Sequence, residues 1–173
     1  MTLPIITRAV TAHDTAAISA LHARVFGPGR FTRTAYRVRE GKGLTSRFCR
    51  AADLTGRLIA TIRLSEVTIG GAGHAALLGP LAVDPEFHGE GYGRQLVGEA
   101  MEQMRAAGVR LVVLVGDEPY YGRFGFRPVP ADQIVLPGPV NPARILAAEL
   151  VPGVLADYRG TVAGVAPGIA STF

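Results

Sequence analysis

Three glycines at alternate positions, Gly89, Gly91 and Gly93, stand between an apolar run and an amphipathic one in Leu78-Gly-Pro-Leu-Ala-Val-Asp-Pro-Glu-Phe-His-Gly-Glu-Gly-Tyr-Gly-Arg94. A strand that turns sharply on glycine and enters a helix presents N–H groups with no helical acceptor, at the positive end of the helix dipole. The chemistry such a turn offers is the binding of phosphate. Its spacing excludes two common nucleotide sites. A dinucleotide fingerprint needs a third glycine where Arg94 stands, and a Walker-type loop needs Gly-Lys-Ser/Thr, which is absent.

The elements that position this turn can be read on either side of it. Thr2–Val10 reads as a first strand, and Thr11-Ala-His-Asp14 resembles a capping box ahead of a helix carrying Ile18, Leu21, Val25 and Phe26, ended by Gly27. Residues Thr32–Glu40 read as a short second helix. Leu44–Ala52 and Arg57–Ile69 form a hairpin about Asp53-Leu-Thr-Gly56, with Leu58, Ile62 and Leu64 on one face and Thr61, Arg63 and Ser65 on the other. After Gly70–Gly73, Ala75–Val83 is apolar on both faces, as in a central strand. Pro80 within it has no N–H to donate, which predicts a bulge or the departure of the neighbouring strand. The sheet is expected to open there, leaving backbone groups of Leu81 and Val83 for a ligand.

Gly91–Ala107 follows as a helix with the stripe Leu96, Val97, Ala100, Met101 and Met104, stopped by Gly108. Arg110–Val115 is the next strand, so strand, turn, helix and strand make a βαβ unit with parallel strands. One or two helical turns are expected over Pro119–Phe124. Strands are expected at Phe126–Val129, Ile145–Leu150 and Thr161–Ala166.

The totals limit the classes of function. A chain of 173 residues, 48% hydrophobic and 18% charged, suits one domain with a real core. No apolar run is long enough for a membrane span, and the opening residues lack the pattern of an export signal. Cys49 is the one cysteine, so no internal disulfide forms, and a cytoplasmic setting is expected. The net charge of +4 includes one cluster, Arg30, Arg33, Arg37, Arg39 and Lys42. No nucleic-acid motif accompanies it, so it reads as a solvated face and no nucleic-acid partner is expected. No histidine pair has metal-ligand spacing, and Ser19, Ser46 and Ser65 lack the Gly-x-Ser-x-Gly setting of a serine hydrolase. His22, Cys49, Met101 and Met104 read as core residues.

The glycine turn resembles motif A of the GNAT superfamily of N-acetyltransferases, Gln/Arg-x-x-Gly-x-Gly/Ala, which His88-Gly-Glu-Gly91-Tyr-Gly93 matches. Leu81-Ala-Val83-Asp-Pro85 is similar to the family's preceding strand. Tyr121-Gly-Arg-Phe-Gly125-Phe126 is similar to the Tyr-x-x-x-Gly-Phe after its fifth strand. Leu78–Val83, Gly116–Phe126 and the tail Leu150–Gly160 together resemble a bacterial, YhbS-like subgroup. Two departures stand out: His88 replaces Gln or Arg, and the Asn often found after the fifth strand is missing, with Asp117 near its place.

The resemblance implies an α/β fold in one domain over residues 1–173. Its mixed, mostly antiparallel sheet has parallel strands around the cofactor helix and helices on its flanks. The motif core covers about 75–129, and 130–173 completes the sheet. It implies acetyl-CoA as donor, its pyrophosphate held by His88, Gly89, Glu90, Gly91, Tyr92, Gly93 and Arg94, and its pantetheine arm paired along Leu81, Ala82 and Val83. Tyr121 takes the place of the family's general acid, since a phenol (pKa about 10) can protonate or hold a departing thiolate (about 8.5); otherwise it packs the short helix on the sheet. Tyr120 is expected to point elsewhere, as a structural or acceptor-facing residue. Glu66, in phase with Ile62 and Leu64, is a candidate base if desolvated, or a solvated tip if the strand bulges or ends. Asp84, Glu86 and Asp117 are weaker candidates, and a water chain with no dedicated base stays open. The acceptor is a small-molecule or peptide amine. The Arg30–Lys42 segment, which resembles the border of the acceptor site, favours an acidic one. A homodimer is the expected assembly if the chain associates. The rival reading is a non-catalytic acyl-CoA-binding or regulatory module.

Overall fold

The computed structural model describes residues 5–28, 38 and 46–165. The basic cluster Arg30, Arg33, Arg37, Arg39 and Lys42 and the expected helix Thr32–Glu40 lie outside these, save Val38. Strand β1 (Ile5–Ala9) leads through a 3-10 turn into helix α1 (Thr15–Phe26). The turn is closed locally: the Thr11 N–H donates to Asp14 Oδ2 at 2.8 Å, as the capping-box reading requires. Gly27 then ends α1 at a φ of 67°.

Strands β2 (Arg50–Leu54), β3 (Arg57–Ile69) and β4 (Ala72–Val83) form an antiparallel meander. The β2–β3 turn is tighter than Asp53–Gly56. Thr55 and Gly56 alone make it, both at positive φ, the conformation that suits the twist of a hairpin. Strand β2 also starts later than Leu44. Ser46 interrupts it by accepting from the Phe48 N–H and donating to Leu64 O at 2.6 Å. Helix α2 (Tyr92–Ala106) then crosses back to β5 (Leu111–Val115), which pairs parallel to β4. The short helix α3 (Glu118–Tyr121) precedes β6 (Arg127–Pro128), β7 (Ile134–Val135), β8 (Ile145–Glu149) and β9 (Gly160–Gly164). The sheet order is β1-β2-β3-β4-β5-β8-β6, with β9 on the free end of β3 and β7 beside β9. The pair β7 and β9 is parallel, and β7 was not foreseen.

Each sheet face carries its own core. On one, α2 lays Leu96, Val97, Ala100, Met101 and Met104 over Ile62, Leu64, Leu78, Val112 and Leu146. Burying each Leu or Val of such a stripe contributes about 1.5–3 kcal/mol, more than helix propensity supplies. On the other face, α1 sets Ile18 and Leu21 on Ala51 and Ala82. Beside it, Val67, Ile69, Leu77 and Val113 are covered by the C-terminal segment through Ile134, Val154 and Tyr158. The sheet is thereby fixed from both sides, and what it leaves open is set by the ends of β4 and β5.

Candidate active site

Strand β5 pairs with β4 only over Ala75, Ala76 and Leu77. Just beyond, β4 bulges: Leu64 lies opposite Leu78 but Ile62 opposite Leu81, so β4 holds an extra residue at Gly79–Pro80. The bulge and the end of parallel pairing coincide where Pro80 predicts them. The Asp84 N–H donates to Ile59 O at 2.7 Å, toward β3. By the two-residue period of a strand Ala82 faces β3 as well, and the backbone groups of Leu81 and Val83 face the side β5 has left. A cleft of about 760 Å³ occupies this opening, walled by Leu81, Val83, the 88–94 turn, Tyr120 and Tyr121.

The turn itself is built on Gly91, which caps α2 in the left-handed region at a φ of 87°. The first helical bond runs from the Gln95 N–H to Gly91 O at 3.0 Å. The amides of Gly91, Tyr92, Gly93 and Arg94 therefore precede the ladder. A β-carbon on Gly89 or Gly91 would meet nothing within 4 Å, so the concave side is open. Gly93 is different. A β-carbon there would stand 3.3 Å from Val83 Cγ2 and 3.4 Å from Leu81 Cδ2, so glycine lets the first turn of α2 close on the free end of β4 without displacing those side chains. The donor set is main-chain amide at a helix N-terminus, with the exposed side chains of His88 and Arg94 at the lip, and it fits a diphosphate.

The cleft is anchored from beneath by Asp84. Its side chain is buried, 3% exposed, and its Oδ2 receives Arg57 of β3 at 2.9 Å and Arg24 of α1 at 3.0 Å. Its Oδ1 accepts from the Glu86 N–H at 3.1 Å. Burial by itself would raise this carboxyl. The Glu86 N–H and the two guanidiniums outweigh it and hold Asp84 below the ordinary carboxylate range. Asp84 is thus a fastening between α1, β3 and the turn, and not a base. The Val-Asp-Pro stretch marked its place; its two arginines, from distant segments, carried no local signal.

Tyr121 reaches the cleft wall from α3. Its ring packs edge-on to Phe126 at 5.9 Å and to Tyr120 at 4.8 Å. Tyr120, expected to point elsewhere, also lines the cleft. Four-residue α3 is too short to have opposite faces fixed by helical spacing alone, so both phenols turn inward. Asp117, near the missing Asn, lines the cleft too.

Three of the expected positions lie off the cleft wall. Ala82 is buried under α1. Glu90 turns to the Tyr92 hydroxyl; burial and then this carboxylate raise that phenol above its usual value. Glu66 keeps its phase with Leu64, opposite Ala76, and its Oε1 lies 3.4 Å from the Arg47 guanidinium. Among the described residues no cluster of three or more His, Cys, Asp or Glu is placed to hold a metal, and no helix is long and apolar enough to cross a membrane.

A sheet splayed between its fourth and fifth strands, with an amide turn opening onto the splay, is the architecture of an acyl-CoA-dependent acetyltransferase. The acetyltransferase (GNAT) domain model matches residues 7–129, and the chain belongs to that family. The N-acetyltransferase YhbS of Escherichia coli (strain K12) is 34% identical over 114 residues, which are 65% of this chain and 68% of that one. The crystal structure of Escherichia coli YhbS in complex with CoA superposes with a TM-score of 0.81 at 26% identity, over 95% of this chain and 92% of that one. A GNAT family acetyltransferase from Brucella melitensis, in complex with acetyl-CoA, gives 0.73 at 30% identity over 95% and 98% of the two chains. The α/β fold with its mixed sheet is that of the family.

Proposed function

We propose that this chain is an acetyl-CoA-dependent N-acetyltransferase whose cleft between β4 and β5 holds the donor. The observation that carries the reading is the convergence of three features on one cleft: the unladdered amides of Gly91–Arg94, the free edge of β4 at Leu81 and Val83, and Tyr121. The two complexes with CoA and acetyl-CoA support it. Acetyl-CoA supplies an activated acetyl thioester when bound. The amides from Gly89 to Arg94 hold its diphosphate, and the main chain of Leu81 and Val83 orients its amide-bearing arm as an added strand would. A neutral acceptor amine would form the new N–C bond to the acetyl carbon as the C–S bond breaks, and Tyr121 would give its hydroxyl proton to the departing sulfur. Glu66 lies off the cleft wall and takes up the amine proton only through water.

The acceptor is an amine of a small molecule or peptide. The Arg30–Lys42 cluster favours one that carries an acid. The same reading takes residues 1–173 as one domain, acting in the cytoplasm, in keeping with the single buried thiol of Cys49. A homodimer is the assembly to test by sedimentation.

The test is thiol release from acetyl-CoA across a panel of amines, with coenzyme A affinity measured in parallel. Tyr121→Phe should cut kcat by roughly tenfold or more and leave the Kd for coenzyme A within about twofold. Equal loss of both would make Tyr121 a packing residue. Tight coenzyme A binding with no thiol release for any amine would favour a non-catalytic module.

A further inference from the structure

Tyr120 has no part in the scheme above, although it lines the same cleft. The Arg123 guanidinium lies over its ring at 5.1 Å, Phe124 is at 6.2 Å, and Tyr121 meets it edge-on at 4.8 Å. These neighbours direct its hydroxyl to the first turn of α2, where a β-carbon on Gly93 would stand 3.2 Å from it. Among the described residues no hydrogen bond engages this hydroxyl, although the residue is half-buried and on the cleft wall. The hydroxyl stands on the wall of an open cleft, where its proton is available to a ligand that completes it. Beside helix N-terminal amides, the group that completes it is an anionic oxygen, to which it donates alongside the main chain.

We propose that Tyr120 is a donor-positioning residue: its hydroxyl adds a side-chain hydrogen bond to the amide turn and holds the diphosphate of the acyl-CoA donor. The inference rests on the cleft being the donor site. It gives the two adjacent phenols separate tasks, Tyr121 at the sulfur and Tyr120 at the phosphate. It also gives Gly93 a second reason for its lack of a side chain, because any β-carbon would crowd the hydroxyl as well as Val83 and Leu81.

Two measurements on the full chain test it. By titration calorimetry, Tyr120→Phe should weaken coenzyme A binding roughly tenfold, as expected for losing one hydrogen bond to a charged group. Pantetheine, which lacks the diphosphate, should bind the parent and Tyr120→Phe with Kd values within about twofold of each other. A packing role would weaken both ligands alike. Coenzyme A affinity within about twofold of the parent, or an equal loss for pantetheine, overturns the assignment while leaving the cleft as the donor site. A parent protein that fails to bind coenzyme A overturns both.

Discussion

The Tyr121 ring lies so close over Gly116 that a β-carbon on Gly116 would come within 2.7 Å of its Cε2. Gly116 follows β5 directly, and the absence of a side chain there lets α3 fold back with the Tyr121 ring against the strand. Gly116→Ala should displace the ring. We expect kcat to fall by roughly tenfold with coenzyme A affinity changed less than about threefold, since a misplacement of about an ångström at a reacting group costs rate before binding. Steady-state kinetics beside calorimetry checks this; unchanged kcat would separate Tyr121 from the chemistry.

Asp84 predicts a different pattern. Asp84→Asn leaves Arg24 and Arg57 without the carboxylate that joins them. Breaking a buried pair from one side costs about 3–5 kcal/mol, reduced here because both arginines are about half exposed. Urea unfolding should show a loss of about 2 kcal/mol, and coenzyme A should bind more weakly because the 85–88 turn loses its anchor. A variant as stable as its parent would show that the three-way ion pair holds nothing together.

Acid stability should depend on Asp14. The Arg8 guanidinium, which donates to both of its oxygens at 2.8 Å, lowers this carboxyl from 3.8 to about 2 against the opposing effect of burial. A carboxyl depressed in the folded state stabilises it above the unfolded value near 4, and that contribution disappears as pH falls through about 2. Asp14→Asn should therefore cost about 1–2 kcal/mol at pH 7, allowing for partial screening of Arg8. The gap between variant and parent should narrow steadily below pH 4 in thermal or urea melts. A gap independent of pH would assign the effect to packing.

His88 is exposed at the lip of the cleft, where the family pattern has Gln or Arg. His88→Ala should weaken coenzyme A about three- to tenfold, and His88→Gln, which keeps a neutral donor, should recover most of it. Calorimetry on both variants decides; equal affinities for Ala and Gln would remove the side chain from the site.

The parts of this site written in local sequence were legible. Pro80 announced the bulge and the opening because a missing N–H cannot be hidden within a ladder. The glycine turn announced α2 to within a residue at each end. What resisted reading was set by long-range pairing. Asp84 acquires its arginines from α1 and β3. The start of β2 was moved by a hydroxyl of Ser46 that reaches Leu64, eighteen residues on. Strand β7 exists only because Gly160 and Thr161 of β9 lie beside Ile134 and Val135. Tyr120 turns to the cleft because one turn of helix gives two neighbouring rings no fixed opposition; Arg123 and Phe124 decide its direction.

The most direct test of the whole account is a crystal structure of this chain with coenzyme A. The diphosphate should lie within hydrogen-bonding distance of main-chain amides between Gly89 and Arg94, with the pantetheine arm against Leu81 and Val83. A diphosphate bound elsewhere, with those amides turned to solvent, would contradict it.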